Sequence, residues 1–189
     1  VPPPVKPSDQ LRGTYTWSRG TSRTMTTVPY WPGAVGALDP RRHYWGKSDR
    51  NDFVFARTTL AGDTTLIFES QRPHALVTQH ERDSVIAALR KSSGTELDWS
   101  QTPGSKPIVT QAFLTDEGVV WARVTTNIPG ATYDVFGDDG RYKGTAVLEM
   151  RPNAFLNPIV RGKLFYAVVH DELDVAYVMR GRLVDRPRE

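Results

Sequence analysis

Four histidines are the first candidates for acid-base chemistry or metal binding, because imidazole titrates near neutral pH and is a common metal ligand. They are His43, His74, His80 and His170. The segment that begins at His80 lacks the second histidine, four residues on, that a helical zinc motif requires. His170 precedes two acidic residues, but neighbouring side chains on an extended chain point to opposite faces, which disfavours a shared metal. The sequence predicts no metal site.

Two acidic segments could either bind calcium or close hairpins. Asp116-Glu117-Gly118 and Asp138-Asp139-Gly140 each place carboxylates before a glycine. A calcium loop needs further oxygen ligands at short alternating spacing, whereas Arg141 and Lys143 follow the second segment. Because glycine readily adopts the positive φ of tight hairpin turns, both segments are interpreted as turns.

Nucleophilic catalysis has no local signature in this chain. The sequence contains neither a Gly-x-Ser-x-Gly elbow nor a glycine-rich phosphate loop, and it has no cysteine that could act as a thiolate. An active site assembled from distant residues would leave no such trace and stays open. The sequence predicts a protein that is not an enzyme, with no catalytic residue and no cofactor.

Aromatic and basic residues near the N-terminus are the candidates for partner binding. Trp17, Tyr30 and Trp31 lie in or beside a segment rich in Pro, Gly and Thr, where regular structure is weakly encoded. A tryptophan in such a segment either fills a small local core or contacts a partner, since Trp is enriched at binding hot spots. Arg41 and Arg42 would supply a polar rim. These five residues are the predicted partner-binding site.

The charge distribution favours an acidic neighbour. The net charge is +3, and the first 60 residues contain nine Lys and Arg against four acidic residues. Such a bias suits an acidic protein surface, an anionic lipid or a nucleic acid. The dense basic runs and stacking motifs of nucleic-acid-binding proteins are absent from the sequence. A basic nucleic-acid-binding module therefore ranks third among the functions considered.

Hairpins are the dominant local pattern. Residues 112–121 and 132–148 each read as two apolar strands joined by a polar turn. Residues 37–44 align by pattern with residues 114–121, which places Tyr44 on Trp121. The sequence therefore predicts a four-stranded sheet that occurs twice, followed by a partial third.

One helix is predicted between the two four-stranded sheets, from about Gln79 to Lys91. Thr78 and Glu81 have the spacing of a capping box, in which each side chain accepts a hydrogen bond from the other residue's backbone. The apolar residues of this helix share one face, formed by Val85, Ile86 and Leu89.

Residues 120–123, 133–144 and 171–180 together resemble the C-terminal portion of bacterial six-bladed β-propeller proteins related to NHL repeats. The likeness spans about Ala37 to Leu183, and residues 77–86 are similar to a helical insertion before the last full blade. The resemblance implies an exported protein that binds macromolecules or small ligands. A closed propeller of this kind needs about six blades and this chain supplies about two and a half, so other polypeptide must cover the open strand edges.

The predicted fold is mostly β, with about two and a half antiparallel propeller-like blades that do not close, and one short helix. The predicted organisation is a Pro- and Gly-rich extended arm at residues 1–36, a first blade-like sheet at 37–76, the helix and an inter-blade loop at 77–107, a second sheet at 108–150, and a partial third blade with a tail at 151–189.

The predicted function is a non-catalytic accessory or scaffolding subunit that binds other proteins. Its assembly is expected to be extracytoplasmic (periplasmic) and peripheral to a membrane, for example a respiratory or photosynthetic complex. The alternative is a ligand-binding or hydrolase/lyase-type propeller with a pocket at the blade tips. No apolar run approaches the roughly 20 residues that span a bilayer. Because the sequence begins at Val1 rather than Met, a leader or a longer N-terminal region is expected to precede it.

Overall fold

The computed structural model describes residues 13–19, 21–38, 44–47, 51–93 and 99–185. Within these residues the chain is mostly β, as predicted, and forms four antiparallel sheets with one α-helix and one short 3-10 helix. The described sheets close into neither a barrel nor a propeller. Backbone contacts divide the chain into two compact units, residues 1–32 with 74–107 and residues 33–73 with 108–189.

The first unit contains a hairpin that the sequence did not predict. It lies within residues 1–36, which the sequence assigns to an extended arm. The returning strand is exposed at five of its six positions, so it lacks the alternation of apolar and polar residues that identifies a half-buried strand. The elements of this unit are β1 (Thr14–Arg19), β2 (Ser22–Thr27), α1 (Gln79–Ser93) and a 3-10 helix (Trp99–Gln101).

The helix α1 begins as its capping box predicts. The Glu81 backbone N donates to Thr78 Oγ1 at 3.2 Å, and the Thr78 backbone N donates to Glu81 Oε2 at 3.0 Å. Lys106 Nζ donates to Glu81 Oε1 at 2.6 Å. The hydrogen bond from Lys106, followed by those from Thr78, lowers the pKa of Glu81 to about 2. The helix continues past the predicted Lys91 to Ser93.

The second unit contains three sheets, and each is a simple meander of neighbouring antiparallel strands. The first sheet comprises β3 (Val35–Leu38), β4 (Tyr44–Lys47), β5 (Val54–Thr58) and β6 (Thr64–Glu69); the second comprises β7 (Val109–Leu114), β8 (Val120–Val124), β9 (Ala131–Phe136) and β10 (Tyr142–Leu148); the third comprises β11 (Ile159–Arg161), β12 (Leu164–His170) and β13 (Ala176–Arg182).

The first and second sheets repeat one design. In both, five residues separate the first two strands, six separate the next two and five separate the last two. In both, the pairing of the last two strands is interrupted by one bulged residue, Thr65 in β6 and Lys143 in β10. The equal numbers of residues between consecutive strands, together with the equivalent bulge, support the internal repeat that the sequence pattern indicates.

The register corrects the predicted alignment of the repeat by one residue. Leu38 pairs with Tyr44 in the first sheet, and Leu114 pairs with Val120 in the second. The equivalent of Trp121 is therefore Trp45, not Tyr44. The error matters because a shift of one residue moves every side chain to the opposite face of its sheet; the corrected alignment explains why both tryptophans are buried.

Four hairpins of the second unit close with the same five-residue turn. In each, the first residue's N–H donates to the fifth residue's carbonyl at 2.8–3.2 Å, and the fourth residue's N–H donates to the first residue's carbonyl at 2.9–3.1 Å. The fourth residue has a positive φ, which glycine adopts without steric cost. Both turns predicted from acidic residues before a glycine have this form. The positive-φ residues are Gly62, Gly118, Gly140 and Asp174.

The second sheet lies between the other two. One of its faces, which carries Val120 and Phe136, packs against Phe55 of the first sheet and against Phe53, which immediately precedes β5. Its opposite face, which carries Trp121 and Tyr133, packs against Phe165 of the third sheet. Strands β7, β8 and β9 are accordingly buried at most positions on both faces. The first and third sheets form the two ends of this stack, so each has one face that the second sheet does not cover.

Candidate protein-docking surface

The third sheet has one covered face and one open face. On β12 the alternate residues Phe165, Ala167 and Val169 are buried, and Phe165 and Ala167 pack against the second sheet. Tyr166 and Val168 point to the opposite face and are half exposed. On β13 the residues of this open face are more exposed still, with Val178 at 70%. An apolar strand that faces water on one side normally packs against another element or a partner.

Exposed apolar side chains are concentrated in this part of the chain. Among the described residues, nine of the sixteen large hydrophobic side chains that are most exposed fall between residues 155 and 184. Single exposed apolar residues need no explanation, but a concentration of them in one part of a fold indicates a binding surface. We call this group the third-sheet surface; its members are Phe155, Leu156, Ile159, Leu164, Leu173, Val175, Tyr177, Val178 and Val184.

Phe155 is the most exposed member of the third-sheet surface, at 94%, and it lies on an anchored loop. The Phe155 N–H donates to Asn153 Oδ1 at 2.7 Å, and the Asn153 N–H donates to the Val168 carbonyl at 2.8 Å. Two residues further on, Asn157 Oδ1 accepts a hydrogen bond at 3.0 Å from the buried Gln111. A rigid aromatic side chain loses little conformational entropy on binding, so this arrangement suits a contact residue.

Arginines line one end of the open face. Arg180 and Arg182 alternate with apolar residues on β13, and the register places Arg180 beside Tyr166 and Arg182 beside Leu164. Neither guanidinium has an ion-pair partner within the part of the chain that the structure describes. Arg161 lies on the same face and contacts Asp116 at 3.6 Å with both side chains exposed. The surface therefore presents positive charge beside apolar side chains.

Among the described residues, the outer edge of β13 has no strand partner. The Leu183 N–H donates to the Lys163 carbonyl at 2.8 Å. Because hydrogen-bonded pairs alternate along an antiparallel ladder, Tyr177, Met179 and Gly181 direct their backbone groups towards β12. The backbone N–H and C=O groups of the even-numbered residues of β13 point away from the sheet, and no described strand pairs with them.

A buried ion pair holds a different part of the second unit. Asp134 is the one charged residue among the described ones whose side chain is fully buried, at 1% exposure. Arg72 Nε donates to Asp134 Oδ2 at 2.6 Å, Arg72 Nη2 donates to Oδ1, and Thr145 Oγ1 donates to Oδ1 at 2.9 Å. The hydrogen bond to Asp134 raises the pKa of Arg72. Both carboxylate oxygens are engaged, so this cluster fixes the segment after β6 on the second sheet rather than offering a free base.

The histidine and acidic residues at the end of β12 form a turn. His170 Nδ1 lies 2.8 Å from Asp174 Oδ1, and Asp171 Oδ1 accepts the N–H groups of Leu173 and Val175 at 2.9 Å each. Asp174 has a positive φ in this turn, a conformation in which Asp is more frequent than most non-glycine residues. Within the described ranges, no group of three or more His, Cys, Asp or Glu side chains is placed to hold a metal ion.

The predicted partner-binding residues fall in two groups. Trp17 and Trp31 are half-buried and pack against Tyr15 and Val28 in a small core of the first unit. Tyr30 has a positive φ, and its hydroxyl donates to the Glu81 carbonyl at 3.4 Å. Burial raises the pKa of this phenol, with a smaller contribution from the charge of Glu81. The three aromatic residues thus help to build their own unit, and their contact with a partner stays a prediction.

Arg41 and Arg42, the other two predicted contact residues, lie outside the described residues, as does His43. The third-sheet surface was not identified from sequence. Its strands appear as apolar runs, and the exposure of one face depends on which sheets pack together. The one available signal was Ala154-Phe155-Leu156 between Asn153 and Asn157, an apolar group in a loop flanked by turn-forming residues.

The chain matches no known family model, no curated protein and no solved structure. In the described ranges, no helix combines the length and the apolar content needed to cross a membrane.

Proposed function

We propose that this protein is a non-catalytic scaffolding subunit that binds other proteins through the third-sheet surface. The observation that supports the proposal is the concentration of exposed apolar residues on one sheet and its anchored loop, of which Phe155 is the most exposed. A concentration of exposed apolar residues beside charged residues is typical of protein contact sites. Aromatic and arginine side chains are also the residues that most often dominate binding energy.

The stacking of sheets supports the same proposal. A fan of blade-like sheets covers both faces of each inner sheet but leaves one face of each end sheet open. The second sheet is the inner sheet of this stack, and the third is an end sheet with three strands rather than four. A neighbouring protein on the third sheet would extend the stack and remove the apolar face from water. The blade-like repeat in turn favours the predicted likeness to an incomplete propeller.

We also propose that the assembly lies outside the cytoplasm and at the periphery of a membrane. This part rests on the sequence resemblance to exported propeller proteins. Fractionation of cells that produce the full-length protein tests it directly. Recovery with the cytoplasmic fraction would remove this part of the proposal without affecting the binding surface.

Site-specific photo-crosslinking tests the binding surface. A photoreactive phenylalanine analogue replaces Phe155 in one variant and Leu60 in a matched control, because Leu60 is also exposed, at 65%, but lies on a turn of the first sheet. In cells, the Phe155 variant is expected to form one discrete crosslinked species that the Leu60 variant lacks. Equal crosslinking of both variants, or a monomer with no crosslinked product from Phe155, would contradict the proposed function.

A further inference from the structure

The edge strand β13 differs from the other edge strands of the second unit. The edge strands β3 and β11 have four and three residues, and the pairings of β6, β7 and β10 each contain a register shift. Short strands and bulges are devices that prevent an edge from pairing with another chain. β13 has seven residues, and all seven pair with β12 in an unbroken register. None of these protective devices is present on β13.

Within the part of the chain that the structure describes, the third sheet is also one strand short of its neighbours. The first and second sheets have four strands each, whereas the third has three and ends at β13. The side chains of β13 are exposed on both faces, including Tyr177 at 44% and Val178 at 70%. A fourth strand beside β13 would bring the third sheet to the size of the other two and would cover part of this apolar surface.

From these features we infer that the free edge of β13 accepts an extended acidic segment of a partner protein as the fourth strand of the third sheet. The inference rests on the proposed function, because it specifies how the partner engages the third-sheet surface. Addition of a strand to an open sheet edge is an established mode of peptide recognition, in which main-chain hydrogen bonds supply affinity and alternate side chains supply specificity.

Charge identifies the kind of partner. β13 contains Arg180 and Arg182 but no acidic residue, and both guanidinium groups lack an ion-pair partner among the described residues. Carboxylates at alternate positions of an added strand would lie beside these two arginines on the same face of the sheet. A second copy of this chain fits poorly, since antiparallel pairing of two β13 strands would bring four arginines onto one face.

The side chains of β13 alternate between the two faces of the sheet, and this alternation determines which residue types suit each position of the added strand. Val178, Arg180 and Arg182 point to the open face, and the backbone groups of these same residues point towards the free edge. A partner segment would therefore place one apolar and two acidic side chains at every second position. Four residues of β13 can exchange main-chain hydrogen bonds with that segment: Ala176, Val178, Arg180 and Arg182.

Backbone hydrogen exchange with two matched peptides tests the inference. The probes are a soluble peptide that alternates Glu with Val and a control that alternates Lys with Val. At a concentration of about ten times Kd, the Glu peptide is expected to slow exchange of the Val178 and Arg180 amides about tenfold, because only the free protein exchanges. The Met179 amide, already bonded to β12, should change much less. The Lys peptide should have no effect.

Two variants separate an edge interaction from a general charge effect. Val178→Pro removes an outward N–H and leaves the hydrogen bonds to β12 in place, whereas Val178→Thr retains the N–H and serves as its control. The proline variant is expected to lose binding of the Glu peptide and the threonine variant to keep it. The double variant Arg180→Glu with Arg182→Glu, which keeps the backbone unchanged, should reverse the preference towards the Lys peptide and tests the inference even if the proline variant does not fold.

Three results would overturn the inference. The first is no detectable binding of the Glu peptide at about 1 mM, a concentration at which even weak protein complexes form. The others are binding that leaves the Val178 and Arg180 amides unprotected, and equal binding of both peptides. The proposed function is judged separately by crosslinking at Phe155. If Phe155 crosslinks to a partner but the β13 edge fails these tests, the protein is a scaffold that uses its open face rather than strand addition.

Discussion

Removal of Arg72 tests how the second sheet is held together. The substitution Arg72→Met keeps much of the side-chain volume but leaves Asp134, at 1% exposure, as a buried carboxylate with Thr145 as its one remaining side-chain donor. Breaking a buried ion pair by removing one partner costs about 3 to 5 kcal/mol. Because Arg72 is itself one-quarter exposed, we expect the lower end of this range, a loss of about 3 kcal/mol in the free energy of unfolding.

The assay is equilibrium urea unfolding followed through the amide resonances of β8 and β9, which report on the second unit alone. With an m-value of about 2 kcal/mol per molar, the expected loss lowers the urea midpoint by about 1.5 M. The double variant Arg72→Met with Asp134→Leu removes both charges. It should be more stable than Arg72→Met by about 2 kcal/mol, because an apolar pair leaves no uncompensated charge.

The two variants together show whether an unpaired Asp134 lowers the free energy of unfolding. If Arg72→Met lowers the free energy of unfolding by less than about 1 kcal/mol, the pair contributes no more than a surface ion pair. If the double variant is instead less stable than Arg72→Met, the carboxylate stabilises the sheet through contacts other than Arg72. Either result would refute the reasoning that the ion pair fixes the segment after β6.

Three further predictions concern local structure. Thr78→Ala should destabilise the first unit by about 1 kcal/mol through loss of the N-cap, measured by thermal unfolding, while Thr78→Ser should be nearly neutral; equal loss in both would exclude the cap as the cause. The pKa of Glu81 is about 2, below its ordinary value of 4.5, so the ionised carboxylate should stabilise α1 fully above pH 5 and progressively less as the pH falls towards 2. The helical circular dichroism signal of the parent chain should therefore decline over this pH range, and that of Glu81→Gln should not. An equal decline in both chains would contradict the prediction. Gly130→Ala should prevent stable folding, because φ is +91° and the added Cβ would overlap the Leu148 carbonyl, whereas Gly104→Ala meets no atom within 4 Å and should fold; solubility and circular dichroism report both.

Features determined by a few neighbouring residues could be predicted from the sequence. The capping box of Thr78 and Glu81 predicted the start of α1, and glycines after acidic residues predicted the turns at Gly118 and Gly140. In each case the hydrogen-bond donors and acceptors lie within five residues, so their geometry follows from local spacing.

Features determined by long-range pairing could not be predicted. Arg72 and Asp134 are separated by 62 positions, and no local pattern indicates that they meet. The alignment of Tyr44 with Trp121 was wrong by one residue because a pattern of apolar residues does not fix strand register. The hairpin formed by β1 and β2 was missed because Ser22–Thr27 faces water at almost every position.

The candidate site depends on packing at a still larger scale. The apolar run at Leu164–His170 predicts a strand, but its sequence does not say which face another sheet covers. Only the placement of the third sheet at the end of the stack shows that Phe165 is buried while Val178 is exposed. The predicted contact residues Trp17 and Trp31 were chosen as aromatic residues outside clear strands, and both are partly buried in a small core of their own unit.

Hydroxyl-radical footprinting in intact cells tests most directly whether the third-sheet surface contacts another protein. In the purified chain, Phe155, Val178 and Leu60 should all be oxidised, since their exposed fractions are 94%, 70% and 65%. In cells, Phe155 and Val178 should be protected while Leu60 reacts as before. Equal oxidation of Phe155 and Val178 in cells and in the purified chain would contradict a docking role for this surface.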